Sequence, residues 1–249
     1  MKKIVAIGGG EIGRPGFPIE TTEIDNEIIK LSGKTSPRLL FIPTASNDSE
    51  LYFETVKKYF GEKLGCETDV LYLINKNLNE KEIEKKIFRS NIIYVGGGNT
   101  LKMMKVWRKT GVDKILKLAH EKGIVLSGLS AGSICWFRWG NSDSRRSINP
   151  DADLIKVTGL GLINALHCPH YDFEKNRKPD LKKMMRKTPG VSVAIDNCSA
   201  IEIVDDKYRI ISSKTSANAY RVYWKKNIYY EEIIKKEKEF KELKYLLEK

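Results

Sequence analysis

Ile124-Val-Leu-Ser-Gly-Leu-Ser-Ala-Gly-Ser-Ile-Cys-Trp-Phe137 begins as an apolar run, stops at Gly128, and continues after Ser130 as a helix-compatible segment. Its centre, Gly128-Leu-Ser-Ala-Gly132, has the G-x-S-x-G spacing of a nucleophile elbow. In such a turn a strand reverses sharply into a helix and holds the middle residue in a cramped backbone conformation. Glycines two residues on either side let the chains pass without a Cβ clash. Ser130 then stands exposed at the carboxyl end of the strand, and the N–H of Ala131, first in the new helix, points at the same spot and suits an oxyanion. A glycine-rich turn that serves packing alone is the competing reading of the pentapeptide.

Outward from the elbow, strand and helix alternate. Lys3–Gly8, Arg38–Pro43, Asp69–Ile74 and Asn91–Val95 are apolar runs of the kind that form strands buried on both faces. Helical spacing follows them from Thr22 (Ile24, Ile28, Leu31), over about 50–60, over 80–88, and over 100–110 and 112–121. This alternation predicts an α/β fold with a mostly parallel sheet and helices on both faces. Gly8-Gly-Gly-Glu-Ile-Gly13 lacks the Lys-Ser/Thr that completes a P-loop, and its helix starts only near Thr22, which also disfavours a dinucleotide loop. After the elbow, residues 141–161 read as loop. Ala165–Tyr171 reads as a strand ending at His170, and Phe173–Lys187 as a basic helix. Short segments at 191–195, 200–204, 208–211 and 220–224 predict antiparallel additions in the C-terminal third. Residues 231–249 read as a C-terminal helix docked on one domain spanning 1–249, with Ile234, Phe240, Leu243 and Leu247 as its apolar stripe.

Composition narrows the partners. A net charge of +12 would suit nucleic acid, but the lysines are spread over nearly every predicted helix and mixed with glutamates, so a solvated surface explains them and no nucleic-acid partner is expected. The chain has no apolar stretch long enough for a bilayer, and the N-terminus reads as a first strand, so no membrane association is expected. Cys66, Cys135, Cys168 and Cys198 lack paired spacing and sit in apolar segments, as reduced residues of a cytoplasmic protein would. The aromatics from Tyr220 to Tyr230 suit either a homodimer interface or edge strands packed under the terminal helix.

A serine hydroxyl needs a base to become a nucleophile. Of the three histidines, His120 lies in an amphipathic helix and reads as a packing residue. His170 follows Pro169 at the carboxyl edge of its strand, where ligand sites of open parallel sheets lie, and is the expected base. His167 reads as a supporting residue. Zinc ligation by His167, Cys168, His170 and Asp172 matches no common spacing, so no metal is expected. For the carboxylate that would orient the base, spacing leaves Asp143, Asp151, Asp153 and Asp172 open.

The elbow, the turn Val95-Gly-Gly-Gly-Asn-Thr100 and the segment Pro169-His-Tyr171 together resemble the serine peptidase family of aspartyl dipeptidase (dipeptidase E) and cyanophycinase, over about residues 1–230. The ordered pair G-G-G-N-T and G-x-S-A-G is its most specific part. The resemblance implies a three-layer α/β/α sandwich similar to class I glutamine amidotransferases, with Ser130 as nucleophile in place of their cysteine. It further implies His170 as base, Gly98 and Ala131 as oxyanion-hole amides, Asp143 as triad acid, and no cofactor. The implied substrate is a small peptide with an N-terminal aspartyl residue. Arg145 or Arg146 would meet the side-chain carboxylate, and Asp196 or Glu174 the free amine. A β-aspartyl-arginine isopeptide, a non-catalytic ligand-binding role and an esterase are the alternatives, the last made awkward by the lack of any histidine after His170.

Overall fold

The computed structural model describes residues 1–74, 76, 78–174 and 176–249. In chain order the elements are β1 (Lys3–Ile7), α1 (Thr22–Leu31), β2 (Arg38–Ile42), α2 (Glu50–Val56), β3 (Glu67–Val70), α3 (Glu80–Arg89), β4 (Ile92–Val95), α4 (Thr100–Thr110), α5 (Val112–Glu121), β5 (Val125–Leu129) and the single turn α6 (Ala131–Ile134). There follow β6 (Phe137–Ser142), β7 (Ile155–Thr158), β8 (Ile163–Cys168), α7 (Arg177–Arg186), β9 (Ser192–Ile195), β10 (Ser199–Val204), β11 (Lys207–Ser212), β12 (Ala219–Lys225), β13 (Ile228–Ile234), β14 (Lys241–Glu242) and α8 (Leu243–Leu247).

The first sheet has eight strands in the order β14-β11-β10-β1-β5-β4-β2-β3. Its centre, β1-β5-β4-β2-β3, is parallel, and β10, β11 and β14 extend it antiparallel. Side chains alternate across it: Val5 and Ile7 join the core under α1, while Ile4 and Ala6 face the core shared with α3, α4 and α5. Both faces are therefore buried, which is why these strands read as continuous apolar runs. The α/β class and the antiparallel additions match the sequence expectation.

A second, six-stranded sheet, β13-β12-β9-β8-β6-β7, was not expected. It arises because α6 ends at Ile134 and the chain re-enters a strand at Phe137, so the elbow leads into a new sheet rather than a long helix. One face of this sheet contributes Ala165, Val193 and Ala219 to the main core, and the other packs Leu166, Cys168 and Val222 against Leu181 and Met185 of α7.

The segment read as a terminal helix over 231–249 is instead the end of β13, the short β14 and the five-residue α8. Ile228-Tyr-Tyr-Glu-Glu-Ile-Ile234 forms an edge strand paired on one side to β12, with Glu231, Glu232 and Ile233 exposed in succession and only Ile234 buried, so the charged residues that suggested a helix surface lie on the open edge. The aromatics of β12 and β13 divide between the two faces of the sheet: Tyr220, Trp224 and Tyr229 lie on the α7 side, where Tyr220 packs on Tyr171 and Lys182 sits over Trp224 and Tyr229, while Tyr223 and Tyr230 stack on each other on the main-core side. The basic helix begins at Arg177, not Phe173, and β3 covers Glu67–Val70, not 69–74. None of the described helices is long and apolar enough to cross a membrane.

Candidate active site

Ser130 joins β5 to α6 with φ 55° and ψ −113°, a region that costs an ordinary residue about 1–3 kcal/mol. The flanking glycines permit the turn by contact: a Cβ on Gly128 would lie 2.6 Å from the carbonyl oxygen of Val95, and one on Gly132 only 2.1 Å from it. Ser130 N–H donates to the carbonyl of Ile7 (3.2 Å), which fixes the turn against β1.

His170 lies two residues past β8, with φ 53° and its N–H donating to the carbonyl of Gly8 (3.1 Å). Its Nε2 is 2.8 Å from Ser130 Oγ. Its Nδ1 is 2.7 Å from Oδ1 of Asn197, in the turn between β9 and β10. An amide oxygen only accepts, so Nδ1 carries the ring proton and Nε2 presents its lone pair to the serine hydroxyl. Asn197 is held in turn by its own N–H, which donates to Asp172 Oδ1 (2.8 Å). Burial pulls the imidazole below its ordinary pKa of 6.5, against the opposing pull of the Asn197 bond, so the ring is neutral at pH 7 and ready to accept a proton.

The turn after β4 lies alongside. Gly97 N–H donates to the Tyr52 hydroxyl (3.3 Å) and Asn99 N–H to the carbonyl of Ala45 (2.8 Å). Among the described residues, no acceptor meets the N–H of Gly98 between them or that of Ala131. Gly98 has φ 134°, and a Cβ there would sit 2.3 Å from the Ala45 carbonyl oxygen, so only glycine fits. A Cβ on neighbouring Gly97 would be 3.5 Å from Ser130 Cβ, so this turn borders Ser130.

The triad acid expected at Asp143 is not where the imidazole needs it. Asp143 is 45% exposed and lies 3.8 Å from Arg177 Nη2, while the place at Nδ1 belongs to Asn197. Arg177 is buried, donating from Nε and Nη2 to the two oxygens of Glu174 (2.9 Å each) and from Nη1 to the backbone and side-chain oxygens of Asn141 (2.9 Å each). Although burial raises the Glu174 carboxyl, its bonds to Arg177 bring it below the ordinary range, so it stays ionised. Arg146 Nη1 approaches the same carboxylate at 3.4 Å, whereas Arg145 is exposed. The loop bearing these arginines is fastened to the Gly98 turn, since Asn99 Nδ2 donates to the Ser144 carbonyl (2.9 Å) and Ser147 Oγ (3.0 Å). Asp196 is buried and accepts from Asn218 N–H (2.8 Å), tying β9 to β12; that bond and its burial, which raises its carboxyl, argue against its expected role as amine acceptor.

Two functional residues escaped the sequence reading. Asn197 did so because an amide stands where the partner of a base is ordinarily a carboxylate; the one signal for it is its place just after a strand, at the sheet edge that carries the site. Gly9 makes the second half of the site possible: a Cβ there would fall 2.1 Å from Asn197 Oδ1 and 2.4 Å from His170 Nδ1. Among the described residues, no cluster of three or more His, Cys, Asp or Glu side chains is arranged to hold a metal.

The profile of peptidase family S51 matches residues 4–211. The chain is similar to the uncharacterized peptidase YgaJ of Bacillus subtilis strain 168, with 35% identity over 226 residues covering 89% of this chain and 92% of the relative. It is also similar to Peptidase E of Nostoc sp. PCC 7120, with 26% identity over 200 residues covering 76% and 78% of the two chains. Among solved structures, a peptidase from an acI-B1 Actinobacterium shares the fold with a TM-score of 0.72 at 17% identity, covering 97% of each chain. A putative Peptidase E of Listeria monocytogenes EGD-e follows with 0.62 at 22% identity, covering 85% of this chain and 98% of that one.

Proposed function

Since the chain belongs to peptidase family S51, we propose that it is a serine-type peptidase working through an acyl-enzyme, with Ser130 as nucleophile and His170 as base. The observation that carries this reading is the 2.8 Å contact of Ser130 Oγ with an imidazole nitrogen whose partner nitrogen is anchored by Asn197. Ser130 Oγ attacks the peptide carbonyl carbon while its proton passes to His170 Nε2. The oxyanion rests on the N–H groups of Gly98 and Ala131. As the C–N bond breaks, His170 returns the proton to the leaving amine. Water then attacks the ester, giving a proton to His170, and the acid leaves as Ser130 regains its hydrogen. Asn197 holds the imidazole tautomer in the place taken by an aspartate in the familiar triad, without adding a charge.

The substrate we propose is a small peptide with an N-terminal aspartyl residue. Arg146 and Glu174, 3.4 Å apart beside the base, offer a cation for the side-chain carboxylate and an anion for the free amine in one place, with Arg145 as a second cation on the exposed loop. Hydrolysis of Asp-Leu, Glu-Leu, Ala-Leu and β-Asp-Arg by the wild type and by Ser130→Ala tests the proposal. Cleavage of Asp-Leu that vanishes in the variant supports it. Preferential cleavage of β-Asp-Arg moves the substrate to an isopeptide, and equal inertness of both proteins on the whole panel refutes the peptidase chemistry.

A further inference from the structure

Nucleophile and base sit on different sheets: Ser130 follows β5 of the eight-stranded sheet, and His170 follows β8 of the six-stranded one. Their 2.8 Å contact therefore depends on how the two sheets are tied together near the site. One tie is the His170 N–H bond to the Gly8 carbonyl. A second lies beneath the elbow. Ser133 Oγ is 2.7 Å from the carbonyl oxygen of Ser130 and 2.8 Å from Nε2 of His167, which lies on β8 three residues before the base. His167 Nδ1 is 2.9 Å from the carbonyl oxygen of Val193 on β9, and its ring stacks on Phe137 at 4.6 Å.

The proton inventory fixes the roles. The Val193 carbonyl can only accept, so Nδ1 carries the hydrogen and Nε2 is the lone-pair side of a neutral ring. Full burial keeps the ring neutral, holding its pKa down to about 3. The Ser133 hydroxyl has one proton and two acceptors before it. The Ser130 carbonyl already receives the N–H groups of Ser133 and Ile134 (3.0 Å each), whereas Nε2 has no other donor among the described residues, so the hydroxyl serves the imidazole and its oxygen is pinned under the elbow. With only four residues, α6 has little ladder of its own to hold Ser130 at positive φ.

We infer that His167 and Ser133 are positioning residues that hold the strained nucleophile turn in register with His170 across the junction of the two sheets. The inference rests on the serine-peptidase reading for its kinetic consequence and on geometry alone for its structural one. In Ser133→Ala and His167→Phe the cross-tie is lost, while the phenyl ring keeps the stack on Phe137. A displacement near 1 Å at the reacting atoms costs about a hundredfold in rate.

The test measures the rate at which a fluorophosphonate acylates Ser130, together with crystal structures of the variants. For both variants the expected result is labelling slowed at least tenfold, with a lengthened Ser130 Oγ to His170 Nε2 distance and an unchanged pH midpoint of the labelling rate. His167→Gln, which restores a polar atom near the Nε2 position, recovers part of the rate. Wild-type labelling rates in folded Ser133→Ala and His167→Phe, or a contact still at 2.8 Å in both crystals, overturn the inference. A wild-type protein that is not labelled at all removes the serine-hydrolase reading instead, and the crystal distances alone then decide the positioning role.

Discussion

Gly9→Ala is the most demanding single change for this site. Gly9 does not occupy the left-handed region, so its backbone accepts alanine and the effect is one of contact alone. The added methyl would lie 2.1 Å from Asn197 Oδ1, 2.4 Å from His170 Nδ1 and 2.5 Å from His170 Cε1. Ordinary contact begins at 3.4 Å, so the asparagine or the turn must retreat by 3.4 − 2.1 = 1.3 Å. A shift of that size breaks the Nδ1–H bond or swings Nε2 away from Ser130, and a 1 Å misplacement at reacting atoms costs about a hundredfold. Cleavage of the preferred dipeptide should accordingly fall by about two orders of magnitude in kcat/KM, with a folded protein by circular dichroism. If the methyl acts through this contact, the double variant Gly9→Ala/Asn197→Ala costs far less than the product of the two single losses. A folded Gly9→Ala enzyme within twofold of wild type would refute the account of how the imidazole is held.

Three further outcomes follow from the same coordinates. Asn197→Asp places a carboxylate at Nδ1, favours the imidazolium and raises the depressed His170 pKa; the acid limb of the pH–rate profile should move up by about one to two units, and an unmoved limb contradicts the assignment of His170 as base. Asp25 is fully buried, accepts from Thr21 Oγ1 (2.7 Å) and the Tyr59 hydroxyl (3.0 Å), and is pushed by burial up to about 7. A raised carboxyl supports folding below the unfolded pKa and loses that support as pH rises through 7, so the stability of Asp25→Asn relative to wild type should increase between about pH 4 and pH 7, by at most on the order of 4 kcal/mol; a difference that denaturation shows to be independent of pH contradicts this. Arg177→Ala removes the buried cation and leaves the Glu174 carboxylate and the Asn141 oxygens without its bonds, which should lower stability by about 3 kcal/mol in urea denaturation, and a loss under about 0.5 kcal/mol would contradict its anchoring role.

The parallel half of the fold was legible because its strands are buried on both faces and its helices carry an apolar stripe, so periodicity separates them. The strained turn at Ser130 and its two flanking glycines were legible for a local reason, since the turn geometry acts on adjacent residues. The second sheet was not, because an apolar run such as Ile163–Cys168 reports burial and not the strand it pairs with. The terminal helix failed where lysines and glutamates mixed with Ile and Tyr satisfy a helical stripe and an edge strand equally. At the site, the approach of His170 to Ser130 was legible from its place after a strand, whereas its Nδ1 partner is an amide where a carboxylate is the usual residue. Asp143 lies near enough to favour the imidazolium through space yet is turned to Arg177, a choice made by the buried arginine that no spacing reveals.

The central claim is that Ser130 is a hydroxyl activated by His170. Its most direct test is intact-mass and peptide mapping after reaction with a fluorophosphonate, for the wild type, Ser130→Ala and His170→Ala. The account predicts one adduct per chain, on the peptide containing Ser130, absent in Ser130→Ala and formed at least a hundredfold more slowly in His170→Ala. An adduct on another residue, or none on the folded wild-type protein, would contradict it.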